Sequence, residues 1–163
     1  MTEIEPEFSY TITASIPTPA EYIHLRTITG LSPPPAAAAS TGLANSVHCV
    51  VARVSSTAQN DSNAIDVPSS HGDQPSSGEA IGMVRLVGDR AVFLLLVDMA
   101  VVPVHQGKGV GGRLLDEMLR WVDENAKDAY LTLVGDPPGV RLYKSRGFVE
   151  TIGLGMARST WGM

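Results

Sequence analysis

The residues best suited to chemistry form a short glycine-rich segment. Four glycines fall within six consecutive positions after an apolar run, at Gly107, Gly109, Gly111 and Gly112. An amphipathic helical pattern follows at once, and the first N–H groups of a helix lack partners within it and favour an anion. Glycines let phosphate oxygens approach the main chain without meeting a Cβ atom, and Lys108 adds a cation. The segment predicts a phosphate-binding loop at a strand-to-helix junction, with a glycine-rich turn that binds nothing as the alternative.

Two nucleotide-binding motifs can be weighed against this segment. The letters GKGVGG satisfy the dinucleotide fingerprint G-x-G-x-x-G, but about a hundred residues precede them, whereas that fingerprint belongs in the first β-α turn of its domain. That fingerprint also has an acidic residue further along the chain, and the candidate for it here is Asp136, which precedes two prolines. The Walker A pattern is absent because no Gly-Lys-Ser/Thr ends the loop. A dinucleotide-binding oxidoreductase therefore remains a minor alternative.

The elements around this loop indicate a mixed α/β (α+β) domain. Alternating or continuous apolar runs predict strands at 8–13, 46–54, 80–88, 91–102 and 129–135, with one or two more within 148–161. Helical periodicity and capping residues predict helices at 18–28, 36–46, 109–125 and 136–147. Between the second and third strands, residues 56–79 are rich in Ser, Asn, Asp, Gly and Pro and are interpreted as a mobile loop insertion. Hairpins and a crossover helix together favour a mixed sheet with helices on its faces.

Composition limits the class of protein. The chain has 163 residues, 44% hydrophobic and 18% charged, which fits one globular domain over 1–163. A net charge of −5 argues against nucleic acid as a partner. Cys49 is the single cysteine and is expected to be buried and inert, and the scattered histidines predict no metal site. No signal peptide or membrane span is evident in the sequence, so we expect a cytoplasmic protein, with the nucleus as an alternative.

Two motifs at a defined spacing resemble those of one enzyme family. Residues 106–111, QGKGVG, fit the pattern Q/R-x-x-G-x-G/A, and RLYKSRGF at 141–148 is similar to L-Y-x-x-x-G-F. Both belong to the GNAT superfamily of acyl-CoA-dependent N-acetyltransferases, and the resemblance covers residues 80–158 well. It implies the GNAT fold, a mostly antiparallel sheet of six to seven strands that is splayed at its central strand and carries about four helices.

The resemblance implies acetyl-CoA as the acyl donor. The pantetheine arm would pair with the main chain of the central strand at Met99 and Val101. The pyrophosphate would take contacts from Gln106, Gly107, Lys108, Gly109, Val110, Gly111 and Gly112. Many relatives place Asn where this chain has Asp136, so this residue is expected either to contact the pantetheine or to cap the following helix.

Catalytic roles follow from the same resemblance. Tyr143 matches the tyrosine that protonates the departing thiolate, and a phenol suits a thiol leaving group. Asp98 is the one ionisable residue in its apolar strand and is expected to act as a base, to anchor the substrate ammonium, or to be a hydrogen-bonded structural carboxylate. Several relatives carry a catalytic Glu at the position of Leu95, so a chain of water molecules is an alternative base.

The acceptor is expected to be a primary amine of a small molecule or peptide, attacked directly in a ternary complex. Specificity in this fold usually resides in the first helices, here around Tyr22, His24 and Arg26, although a surface role is the simpler interpretation for Arg26. His105 is expected to face solvent. A homodimer is compatible with the family. The alternative function is an acyl-CoA-binding module that has lost transfer.

Overall fold

The protein consists of five strands and four α-helices in the part of the chain that the structure describes. The structure is a computed structural model that describes residues 8–56, 78–153 and 156. The strands are β1 (Phe8–Ala14), β2 (His48–Ser56), β3 (Glu79–Gly88), β4 (Phe93–Val101) and β5 (Tyr130–Leu133). The helices are α1 (Pro19–Ile28), α2 (Ala36–Ala44), α3 (Val110–Asn125) and α4 (Val140–Lys144). Short 3-10 turns at Pro103–His105 and Pro137–Gly139 precede α3 and α4.

The strands form one mixed sheet in chain order, β1-β2-β3-β4-β5. The first four strands are antiparallel to their neighbours, whereas β4 and β5 are parallel because α3 crosses over between them. The predicted mixed, mostly antiparallel sheet is therefore confirmed. The parallel pairing is short, which opens the sheet along the second half of β4.

Helices cover both faces of this sheet. On one face, α3 buries the stripe predicted from its periodicity, and Leu114, Leu115 and Met118 are completely enclosed against β2 and β3. On the other face, α1 and α2 pack on the same central strands through Leu25 and Leu43. Each fully buried leucine contributes about 1.5–3 kcal/mol relative to an exposed one. The two apolar layers hold β4 in a fixed position between them.

The start of α1 follows from its sequence. The Thr18 hydroxyl accepts from the Glu21 N–H at 3.2 Å, and the Glu21 carboxylate accepts from the Thr18 N–H at 2.8 Å. This reciprocal pair satisfies N–H groups that the helix leaves without partners, and Pro19 fits the first position because it has no N–H to satisfy. The predicted cap is confirmed, and it fixes the direction in which α1 crosses the sheet.

The predicted element boundaries agree closely with the observed ones, apart from the chain end. Six to seven strands were expected, and the described residues form five; within the described stretch, residues 148–153 form no strand. The remainder of the predicted terminal strands lies beyond residue 153, where only Met156 is described. The predicted loop insertion at 56–79 lies mostly outside the described residues as well. No described helix has the length and apolar character needed to cross a membrane.

Candidate active site

A cleft opens where β4 and β5 separate. The two strands pair only from Phe93 to Leu96 on β4 and from Tyr130 to Leu133 on β5, and β4 continues to Val101 without that neighbour. The resulting cleft has a volume of about 720 Å³. Its walls include the second half of β4, the start of α3, the turn before α4, and residues of α1 and the segment after it. The fold therefore brings the glycine-rich loop and the predicted catalytic residues to one cavity.

The glycine-rich loop adopts a backbone that favours glycine. Gly107 and Gly109 have φ angles of +72° and +80°, in the left-handed region that L side chains rarely occupy. A Cβ atom at either position would meet nothing within 4 Å, so the loop surface is open. Gly109 is the N-cap of α3 and supplies no side-chain cap. At these two glycines the main chain in front of α3 is therefore exposed, with no side chain covering it.

The N–H groups at the start of α3 are available to an anion. The first hydrogen bond inside the helix runs from the Arg113 N–H to the Gly109 carbonyl at 3.1 Å. The preceding N–H groups, those of Val110, Gly111 and Gly112, have no acceptor within the helix. Together with the helix dipole they favour a phosphate at this end of the cleft.

The end of β4 turns its main chain toward the cleft. The Val102 N–H donates to the Ile81 carbonyl at 2.8 Å, so Val102 faces β3. Since main-chain groups alternate in direction along a strand, those of Val101 face the opposite edge, where β5 has already diverged. The Gln106 amide donates to the Val101 carbonyl at 2.8 Å. Gln106 therefore connects the strand end to the loop.

Residues of β1 support the loop from behind. The Lys108 ammonium lies 4.7 Å from the centre of the Phe8 ring, a cation–π contact. The His105 side chain is almost enclosed, its Nδ1 lies 3.0 Å from the Tyr10 hydroxyl, and its ring meets Phe8 edge to face at 5.0 Å. The expectation that His105 faces solvent is therefore wrong, because the aromatic residues of β1 cover it.

Asp98 sits at an irregularity in β4. Its φ angle is +55°, a left-handed conformation that is uncommon for any residue except glycine. The register between β3 and β4 shifts here, because Ala100 pairs with Met83 whereas Val97 pairs with Arg85, which leaves one extra residue on β4. Such a bulge bends a strand and redirects its groups. The bend lies at the middle of the cleft wall.

Three side chains hold the Asp98 carboxylate, which is 4% exposed. The Arg85 Nε donates to it at 2.6 Å, the Tyr22 hydroxyl donates at 3.0 Å, and the Arg26 guanidinium donates to its other oxygen. Behind it, Arg85 also donates to the Ser46 hydroxyl at 2.7 Å. Both carboxylate oxygens are thus engaged, which favours the structural alternative for Asp98 over the role of base. The interpretation of Arg26 as a surface residue is wrong.

Tyr143 lies on the opposite wall of the cleft. Its ring is half-buried, packs edge to face on Phe148 at 5.9 Å, and lies so close to Gly139 that a Cβ atom there would be 2.9 Å from Cε2. Within the described part of the chain its hydroxyl has no hydrogen-bond partner. Burial raises the pKa of the Tyr143 phenol, and the negative charge of Asp136 raises it further. The phenol therefore keeps its proton at neutral pH.

Asp136 occupies the cap position of the turn before α4. Its carbonyl accepts from the Gly139 N–H at 2.9 Å, but its side chain makes no capping hydrogen bond. The residue is exposed and lines the cleft. Its carboxylate thus faces the space between the strands and is free of a local backbone role.

Most of the predicted site residues meet at the cleft. Those on its walls are Asp98, Met99, Val101, Gln106, Gly107, Gly111, Asp136 and Tyr143. Lys108 lies over Phe8, Val110 is buried in the core, and Gly109 and Gly112 belong to the loop and helix start beside the cleft. Leu95 is also on the wall. No group of three or more His, Cys, Asp or Glu side chains suited to a metal occurs among the described residues.

Arg85 is a residue of the site that was not predicted from the sequence. It is the one charged residue in the apolar stretch AIGMVRLVG of β3, as Asp98 is in β4. Two lone opposite charges on consecutive strands predict a buried pair, since neither is tolerated alone in an apolar interior. The two lone charges are visible in the sequence, but only the pairing of β3 with β4 brings them together.

Comparison with known proteins agrees with this geometry. The Acetyltransferase (GNAT) domain family matches residues 71–150. A ycf52-like uncharacterised N-acetyltransferase of Prochlorococcus marinus is 31% identical over 74 residues, which are 45% of this chain and 41% of that protein. The chain therefore spans less than half of the length of this curated relative.

Solved structures share the whole architecture. A probable acetyltransferase of unknown function from meticillin-resistant Staphylococcus aureus aligns with a TM-score of 0.74 and 26% identity over 93% of this chain and 99% of the other. A GNAT family N-acetyltransferase from Escherichia coli, solved in complex with CoA, shares the fold with a TM-score of 0.56 and 19% identity over 91% of this chain and 73% of the other. The chain belongs to the GNAT superfamily of acetyltransferases.

The loop conformation leads to a test with one substitution. We expect Gly109→Ala to weaken CoA binding about tenfold, because alanine disfavours the left-handed backbone by roughly 1–2 kcal/mol and adds a Cβ atom beside the helix start. Gly109→Asn should lose less, since asparagine tolerates this conformation better. Isothermal titration with CoA measures both. Equal affinity of wild type and Gly109→Ala would show that the loop does not hold the ligand.

Proposed function

We propose that the protein is an N-acetyltransferase that transfers the acetyl group of acetyl-CoA to a primary amine by direct attack in a ternary complex. The observation that carries this proposal is the cleft between β4 and β5, which joins the open glycine loop at one end to the Tyr143 phenol on its wall. The E. coli structure with the same fold, solved with CoA, supports the nature of the donor.

The donor would lie along the cleft. The N–H groups at the start of α3 and the bare loop from Gln106 to Gly112 suit the pyrophosphate, as argued above. The outward main chain of Met99 and Val101 suits the amide groups of pantetheine, because this half of β4 has no neighbouring strand. Lys108 contributes positive charge at the mouth. Asp136 can accept from a pantetheine amide N–H.

Catalysis would depend on alignment and on proton transfers. Holding amine and thioester side by side supplies much of the acceleration. A new N–C bond forms as the C–S bond breaks, and the N–H of β4 near Met99 stabilises the charge that develops on the carbonyl oxygen. Tyr143 gives its proton to the departing sulfur. The nitrogen loses one proton to water before attack, since the Asp98 oxygens are engaged and Leu95 offers no base, and the proton it loses as the amide forms restores the Tyr143 phenol through water.

A second candidate is an acyl-CoA-binding module without transfer activity. The observation that favours it is the missing carboxylate at Leu95 together with the engaged state of Asp98. Acetyl-CoA turnover with a panel of amines separates the two functions. We expect release of free CoA that depends on an amine; tight CoA binding with no turnover on any amine would favour the module.

A thermal-shift measurement tests the nature of the ligand. A ligand that binds only the folded state stabilises it, by about 2.7 kcal/mol at a hundred times its Kd. We expect CoA to raise the melting temperature and NAD to leave it unchanged. Stabilisation by NAD alone would instead support the dinucleotide-binding oxidoreductase.

The remaining expectations concern the acceptor and the cellular setting. We propose that the acceptor is a small molecule or a peptide and that the protein acts in the cytoplasm. The acidic net charge argues against nucleic acid as a partner.

A further inference from the structure

Part of the cleft wall is apolar and takes no part in the packing of the two cores. Leu94 and Leu96 of β4 are buried in the layer under α3. Because side chains alternate along a strand, Leu95 and Val97 point to the opposite face of the sheet. Both line the cleft, are only partly buried, and belong to neither of the two apolar layers that the described residues form. Their hydrocarbon surface is therefore open to a ligand.

The helices on that face of the sheet stop short of these two side chains. There, α1 and α2 bury Val51 of β2, Met83 of β3 and Ala100 near the end of β4. The middle of β4 lies beyond this layer. Two further apolar residues line the same cleft, one in the segment after α1 and one, 85% exposed, directly after β5. We refer to the four residues Leu31, Leu95, Val97 and Val134 as the apolar wall.

The ionic side chains of the cleft offer this wall no partner for a charge. Asp98 is 4% exposed, and both of its oxygens are held by Arg26 and Arg85. Asp136 forms no ion pair with any described residue, and its negative charge acts on the nearby phenol of Tyr143. One ammonium is thus attracted to the Tyr143 end. A second charge on the acceptor would lie on the apolar wall, where it loses hydration and gains no partner.

We propose that the acceptor is a primary amine with an uncharged apolar substituent, an alkyl or aryl group that lies on the apolar wall. This inference rests on the proposed acetyltransferase function and names the class of its acceptor. The amine nitrogen lies beside the thioester, and the substituent extends along β4 away from the glycine loop, past Val97 toward Leu95. Burial of hydrocarbon on this wall favours the acceptor by about fourfold for each methylene group.

A homologous series of amines tests the apolar preference on the wild-type protein. From propylamine to hexylamine the reacting group stays the same, and we expect kcat/KM to rise about fourfold with each methylene group. Three relatives of hexylamine, 5-amino-1-pentanol, cadaverine and 6-aminohexanoate, place a hydroxyl, an ammonium or a carboxylate at the end of the chain. Each should be poorer than hexylamine by about tenfold or more. A comparison of 2-phenylethylamine with ethylamine extends the test to an aryl group.

Substitutions assign the preference to the apolar wall. Leu95→Asn and Val97→Thr introduce polar atoms with little change of size, and together they should lower the ratio of kcat/KM for hexylamine over propylamine about tenfold. The control is Ile16→Asn, since Ile16 is 57% exposed and lies outside the cleft wall, and this variant should keep the full ratio. The melting temperature of each variant shows whether it folds, and a ratio of two amines is insensitive to a general loss of rate.

Tertiary amines give a readout that does not depend on turnover. N,N-Dimethylhexylamine cannot form a stable amide. In the presence of CoA it should bind more tightly than N,N-dimethylpropylamine by the same factor of about four for each methylene group. Isothermal titration measures both affinities in the wild type and in the double variant.

The outcomes separate this inference from the proposed function. Equal kcat/KM along the series, or a preference for any of the three polar relatives, would overturn the apolar acceptor and leave the acetyltransferase proposal intact. Absence of turnover with every amine, while CoA binds, would count against both. If the double variant folds and keeps the full ratio, or changes only the oligomeric state seen in sedimentation velocity, the apolar wall does not select the acceptor and the inference is wrong.

Discussion

Tyr143→Phe is expected to lower kcat on the order of 100-fold, with little change in the affinity for CoA. The ring would still pack against Gly139 and Phe148, so the cleft wall keeps its shape. What is lost is the proton for the departing sulfur, and a positioned general acid contributes about 10²–10⁴ in rate. A thiolate is a fairly stable leaving group, which places the expected loss at the low end of that range.

The control for this substitution is Tyr130→Phe. Tyr130 begins β5, is exposed, and lies outside the cleft wall, so the same chemical change there should leave kcat unaltered.

The pH profile of kcat gives a second readout. Because burial and Asp136 raise the pKa of Tyr143, wild-type kcat should stay high into the alkaline range and fall only above the ordinary range of a phenol. An alkaline limb that persists in Tyr143→Phe would mean that another group supplies the proton.

Asp98→Ala is expected to have the largest effect on stability, a loss of about 3–5 kcal/mol, as for breaking a buried ion pair. The substitution leaves the guanidinium groups of Arg26 and Arg85 side by side without their shared anion. Alanine also tolerates the left-handed backbone at this bulge less well than aspartate. Urea denaturation at pH 7 measures the free energy of unfolding of the variant and of the wild type.

A matched control is available on α3. Asp116 pairs bidentately with Arg146 at 2.8 and 3.1 Å, but its side chain is 58% exposed. Asp116→Ala should therefore cost at most about 1 kcal/mol. Asp98→Asn separates the loss of the negative charge from the backbone effect, because asparagine tolerates the left-handed conformation as aspartate does but carries no charge. If Asp98→Ala costs no more than Asp116→Ala, the ion pairs of Asp98 with Arg26 and Arg85 do not stabilise the fold.

Much of the fold could be predicted from local patterns. The α3 stripe repeats with helical periodicity, the Thr18 capping box is four residues long, and β4 is apolar throughout except for Asp98. Each signal depends on residues that are neighbours in the chain, and each physical cause acts over the same short distance. The glycine loop was identifiable for the same reason, because the left-handed backbone at Gly107 and Gly109 is a local requirement.

The environment of the site residues could not be predicted in this way. His105 was expected to face solvent, yet Tyr10, 95 positions away, covers it. Arg26 resembled a surface residue of an amphipathic helix, yet it reaches a carboxylate 72 positions along the chain. The packing of α1 against β4 decides one case and the packing of β1 against the turn after β4 decides the other, and such long-range packing leaves little trace in local sequence.

The sequence by itself determined which residues belong to the loop and to the wall around Tyr143, since spacing and residue type set the strand, the turn and the helix start. Only the tertiary structure decided what Asp98 does. A lone acid in an apolar strand requires a partner, because burial of an unpaired charge is costly. Whether that partner is a substrate ammonium or a protein cation depends on which strands and helices meet there, and here two arginines occupy the place.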